Sequence, residues 1–343
     1  MSQNAKEANS KGLQHSFLSK ILKHQNVALF LVFVLYMVGV SLVNPRFLSA
    51  TNIRNLLVQV SITGVLSMGV MMVIISGGFD LSTGWLMTFL GCFLGFLLRD
   101  FGLPPWIGII IIMVIGMLME TFMGFIISRT GLAPFIISLG FQSIYKSFTY
   151  FVTGGMEISL QNKMEWLNQF PMGLSSLAYV FITISIILFF ILRYTRFGRR
   201  IFAVGGNANA AFLSGIDVKN FKMFIFTLNG LFISICSCMA VARVNSSSPS
   251  MSTGMDIDAI AACVVGGTSM NGGKGNVIGV FIGVLLLGSI KNSMTIMGIN
   301  PYYADLLKGI IIVGAVVLSN FNGINTKIKK MRSDKIELVT AKK

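Results

Sequence analysis

The chain has 343 residues, 54% of them apolar and only 11% charged, and its mean hydropathy of +0.78 excludes an ordinary soluble domain. Its 27 lysines and arginines outnumber 12 acids, for a formal charge of +15. They stand in tails and loops between apolar runs, which is the pattern of membrane topology and not of a basic face for nucleic acid. Both histidines (His15, His24) lie in the polar amino-terminal stretch, and Cys92, Cys236, Cys238 and Cys263 all lie in apolar runs. This usage points to no disulfide framework, metal site, cofactor site or histidine proton relay.

Residues 1–25 read as a polar cytoplasmic tail. Val27–Val43 is the first apolar run and would be about 26 Å long as a helix, close to the thickness of the hydrocarbon layer. Asn44-Pro45-Arg46 follows it with no small-residue cleavage signature, which predicts a retained span. Leu56–Ser76, Leu81–Leu98, Trp106–Ser128 and Pro134–Val152 supply four more spans, separated by turns at Gly77-Gly78, Pro104-Pro105 and Arg129. Residues 153–171 are too polar to span, and the alternation of Met156, Ile158 and Leu160 before Trp166 predicts a segment on the outer surface.

Leu174–Leu192 is the sixth span and Phe221–Ala242 the seventh. The Ser-rich residues 243–256 are external by parity. A short eighth span (Ile257–Ser269), a ninth (Val277–Met297) and a tenth (Tyr302–Leu318) lead to a basic tail, residues 321–343. The expected fold is an all-α polytopic membrane protein of about ten helices, with a single transmembrane domain over residues 26–320. Ten crossings leave both termini and most basic residues on the cytoplasmic side.

Between the sixth and seventh spans lies a basic island, residues 193–222. Arg193, Arg196, Arg199 and Arg200 lead it, and Lys219 and Lys222 close it. Asn207 is placed to cap a short helix over Ala208–Leu213, and Gly215 to end that helix in a left-handed turn. A capped helix presented to the cytosol is a docking surface.

Three features stand where a bilayer penalises them. Residues 77–84, GGFDLSTG, predict a broken helix, with Asp80 either facing a permeation path or capping the helix that starts near Ser82. Residues 258–275, DAIAACVVGGTSMNGGKG, are dominated by small residues; their glycine-rich end fails the phosphate-loop spacing because Gly273 stands where lysine is required. That end predicts a tight, closely packed turn. The charged residues Glu120, Lys146, Arg243, Lys291 and Lys308 lie in or near spans, and Gly91-Gly95 and Gly279-Gly283 have the spacing of close helix contacts.

In order, GGFDLSTG (77–84), GLAPFIISLG (131–140), GGNANAAFLSGIDV (205–218), MDIDAIAACVVGGTSMNGGKG (255–275) and NPYYADLLKGIIIV (300–313) give a chain that resembles, over nearly its whole length, the membrane permease subunit of ribose-type ABC importers. The resemblance implies a bacterial inner-membrane permease that passes a simple sugar or sugar-like solute. Its partners would be a second permease, cytoplasmic ATPases, an external substrate-binding protein and the surrounding lipid. It implies no catalysis and no cofactor in this chain. By the same resemblance Gly206, Asn207, Ala211, Phe212, Ser214 and Gly215 belong to the ATPase-docking loop, and Asp80, Ser82, Asp258 and Thr268 to the translocation core. Residues 153–171 and 243–256 would meet the binding protein. The family commonly has an acid after the loop asparagine and a basic residue further on, where this chain has Ala208 and Phe212; this predicts docking by shape and apolar contact. An ion-driven secondary transporter would need mid-membrane acids with partners, and a membrane-embedded enzyme would need clustered acids or histidines.

Overall fold

The computed structural model describes residues 25–300, 302–310 and 313–314. The tails expected at 1–24 and 321–343, and most of the second half of the tenth span, lie outside the described residues. The chain is an all-α polytopic bundle whose central element is α2 (Ala50–Ile75), preceded by α1 (Gln25–Val43). α2 is apolar on every side, and Val65, Leu66, Met68, Met71, Val73 and Ile75 are buried, as expected of a helix surrounded by others. Ser49 caps it by accepting the Asn52 N–H at 3.3 Å. Asn52 then exchanges two hydrogen bonds with Asn292, at 2.9 and 3.0 Å, fastening α2 to α11 (Val277–Ile296). α1 packs mainly on α11 and leaves Phe30, Leu35 and Leu42 exposed, an apolar surface suited to lipid.

α3 (Thr83–Arg99), α4 (Pro105–Thr130) and α5 (Pro134–Thr153) follow, then α6 (Ser176–Tyr194). The island folds as α7 (Arg196–Gly206) and α8 (Ala208–Leu213), and the chain returns through α9 (Val218–Val244). α4 and α9 approach most closely at glycine: a Cβ on Gly230 would lie 2.3 Å from the Gly116 carbonyl oxygen, so only glycine permits this separation. Among the described residues, six helices are long and apolar enough to cross a membrane: α1, α2, α4, α6, α9 and α11. α3 is a shorter apolar helix.

The segment between α9 and α10 (Met255–Val265), within the Ser-rich residues 243–256, is packed along the helical body. Ser246–Ser247 (β2) pair antiparallel with Ile158–Ser159 (β1), and the chain then runs down α3. Ser247 fills the place of a Cβ on Gly95, Met251 that on Gly91, and Ser252 hydrogen-bonds Thr88 and the Gly84 carbonyl. Asp256 packs against Gly84. The descent follows from Gly91 and Gly95, whose missing side chains open a trough on α3. Their spacing marks a close contact with the side chains of Met251 and Ser247, whereas Gly279 and Gly283 face the last turn of α10 through the Gly266 and Ala262 carbonyls. α10 has only 11 residues, about 16 Å or half of a bilayer core. The same ladder turns Ile158 and Leu160 inward to full burial, leaving Met156 and Trp166 exposed.

Candidate functional site

A helix broken within an apolar body leaves backbone groups and polar side chains that need partners. At the first break, Gly77 takes a positive φ of 76° after α2, and Asp80 is buried. Asp80 Oδ1 accepts the Ser82 N–H at 2.8 Å and the Ser82 hydroxyl at 2.7 Å, holding the chain as it enters α3. Asp80 Oδ2 accepts the Asn229 amide of α9 at 3.0 Å, and the same nitrogen reaches Glu120 of α4 at 3.3 Å. Asp80 and Ser82 therefore belong to a buried tie among α3, α4 and α9. These bonds close a turn ahead of α3, whose N-cap Ser82 makes no side-chain cap bond.

The short helix α10 ahead of the second break lines a cavity. Gln59 and Thr63 of α2, Arg243 at the end of α9, Asp258 of α10, Lys291 of α11 and Lys308 of the helical residues 302–310 surround a space of about 170 Å³. Lys308 Nζ lies 2.5 Å from Asp258 and 2.7 Å from the more exposed Asp305. Fixed charges and amides around a small space offer directional hydrogen bonds to a hydroxyl-rich solute while giving an apolar one no gain. Three of the five charged residues singled out in the spans, Arg243, Lys291 and Lys308, thus converge with Asp258. Glu120 belongs to the tie with Asn229, and Lys146 stacks its ammonium over Trp85 at 5.3 Å.

Thr268 is buried in the turn after α10, beside Gly275, and does not line the cavity. Gly267, Gly272 and Gly273 in this turn have positive φ, and protein backbone fills its concave side, as a tight packed turn requires.

The island has the local structure expected of it. Asn207 Oδ1 accepts the Ala210 N–H at 3.0 Å, and the Gly215 and Ile216 N–H groups bond back to Phe212 and Ala211 around Gly215 at φ 83°. Ala211 faces the protein and is buried, Gly206 and Ser214 flank the helix, and Ser214 Oγ donates to the Ala210 carbonyl. Phe212 is 68% exposed and Leu213 85%. Two large apolar side chains turned out of a basic, polar loop form a compact patch with the character of an interface anchor.

Sequence reasoning passed over Asn229, Gln59 and the Asn52–Asn292 pair. The signal was an amide inside an apolar run, which is costly unless hydrogen-bonded.

This architecture agrees with the comparisons to known proteins. Residues 52–316 match the family described as branched-chain amino acid transport system, permease component. The chain is 34% identical to the ribose import permease protein RbsC of Bacillus subtilis over 86% of its own length and 92% of the relative's. It is 31% identical to the D-allose transport system permease protein AlsC of Escherichia coli (84% and 89%) and to the xylose transport system permease protein XylH of Haemophilus influenzae (80% and 90%). No solved structure matches. With more than half of its length matched by one family and full-length relatives above 30% identity, the chain belongs to the permease components of the branched-chain amino acid transport system family.

Proposed function

We propose that this permease subunit forms the translocation path for a simple sugar or sugar-like solute across the bacterial cytoplasmic membrane. In this reading about ten helices cross or half-cross the membrane, both termini are cytoplasmic, and a second permease completes the path. The observation that carries the reading is the cavity of about 170 Å³, where Asp258, Lys308, Lys291, Arg243 and Gln59 collect polar groups inside an otherwise apolar helical body. Sugar hydroxyls are matched by such mixed donors and acceptors. The ribose, allose and xylose named for the relatives are polyols of that kind.

The energy comes from separate cytoplasmic ATPase subunits, which receive α8 through Phe212 and Leu213. An external binding protein delivers the solute to residues 153–171 and to the exposed part of 243–256. Closure of the ATPases on ATP would shift the population between inward-open and outward-open permease pairs. The test is uptake of labelled ribose, allose and xylose into proteoliposomes holding the permease with its ATPase and binding protein. ATP-dependent uptake of at least one of them is expected, and Asp258→Ala should lower it about tenfold or more by removing the less exposed of the two carboxylates that pair with Lys308. Uptake that proceeds without the ATPase and collapses with an ion gradient would overturn the reading.

A further inference from the structure

Three segments far apart in sequence meet backbone to backbone beneath both broken helices. Gly205, in the last turn of α7, lies so near the end of α2 that a Cβ there would be 1.7 Å from the Ile75 carbonyl oxygen and 2.7 Å from the Gly273 nitrogen. The same Ile75 carbonyl, which a helix end leaves without an intrahelical partner, accepts the Gly273 N–H at 2.8 Å. A Cβ on Gly272 would meet the Gly205 carbonyl oxygen at 2.8 Å and Gly77 Cα at 3.0 Å, and one on Gly273 would meet Gly206 Cα at 2.7 Å. Gly77, Gly272 and Gly273 hold φ values of 76°, 80° and 70°, so a side chain is strained at each, and at Gly272 and Gly273 it is excluded as well. No side chain intervenes, and no rotamer change can absorb a shift of one segment against another.

What each segment adjoins gives the junction its meaning. Asn207 and α8 directly follow Gly206. Gly77 leads to Asp80 and the start of α3. The Gly272-Gly273 turn joins α10, which carries Asp258, to α11, which carries Lys291. We propose that Gly205 is a positioning residue for coupling: it locks the α7 end, the α2 end and the α10–α11 turn into one rigid joint. A displacement of α8 is thereby delivered to both broken helices together. The inference rests on the reading of α8 as the ATPase-docking helix.

The test uses the complete transporter. Gly205→Ala is expected to hold the ATPase in the same ratio and hydrolyse ATP, while uptake per ATP falls at least about tenfold. Gly39→Ala, whose Cβ meets nothing within 4 Å, serves as the control that leaves uptake unchanged. A second measurement stands even where Gly205→Ala does not assemble. Spin labels on Ala203→Cys and Lys274→Cys should keep their separation between nucleotide-free and ATP-trapped states, while labels on Ala203→Cys and Thr130→Cys should change theirs. Normal uptake per ATP in an assembled Gly205→Ala transporter, a shift in the first separation, or no shift in the second would each overturn the joint. Absence of ATP-driven uptake in the unsubstituted complex would instead bring down the underlying reading of function.

Discussion

Asn229 presents a single amide nitrogen to the carboxyl groups of Asp80 and Glu120, and all three side chains are fully enclosed by protein. Deleting that donor without changing the volume greatly, as in Asn229→Leu, leaves two buried acceptors unpaired, at a cost of about 1–3 kcal/mol each. The expected outcome is a clearly lowered unfolding midpoint in detergent titrated with SDS; an unchanged midpoint would mean that the amide contributes nothing. Asp80 and Glu120 were visible in the sequence because acids in apolar runs stand out. Their partner was not, since an asparagine eight residues past the start of the predicted span Phe221–Ala242 has no periodic signature and its contacts come from other helices.

At the scale of elements, α8 shows how much of local structure a few residues can specify. Asn207 supplies the cap, the six residues Ala208–Leu213 make little more than one turn and a half, and Gly215 supplies the positive φ that ends it. Gly215→Val forces a β-branched residue into that conformation, at a cost of about 1–2 kcal/mol of local strain. The variant should insert normally but show weakened ATPase binding and lost uptake, measured by co-purification and transport; unchanged co-purification and uptake would remove α8 from the docking role. The helix was legible from sequence because capping is a local interaction among neighbouring residues. The exposure of Phe212 and Leu213 was not, because it depends on how α7 and α9 hold α8.

Across the whole molecule, the descent of residues 246–256 along α3 decides where α10 begins and so where Asp258 stands. Ser250 is exposed whereas Ser252 is 3% exposed, and the four native cysteines are buried. Ser250→Cys should therefore react with a membrane-impermeant maleimide added outside intact cells, and Ser252→Cys should not; equal labelling of the two would contradict the descent. The sequence by itself determined the all-α membrane class, the order of the apolar helices, the capped helix and the positions of both breaks, because these depend on local hydropathy and on glycine, proline and asparagine in particular places. Only the tertiary structure decided that Arg243, Asp258, Lys291 and Lys308 share one cavity while Asp80 and Thr268 lie elsewhere. It also decided that Gly205, Ile75 and Gly273 touch. Those outcomes arise from which helix faces meet, and a one-dimensional pattern of apolar residues in lipid, where nearly every face is apolar, carries little information about that choice.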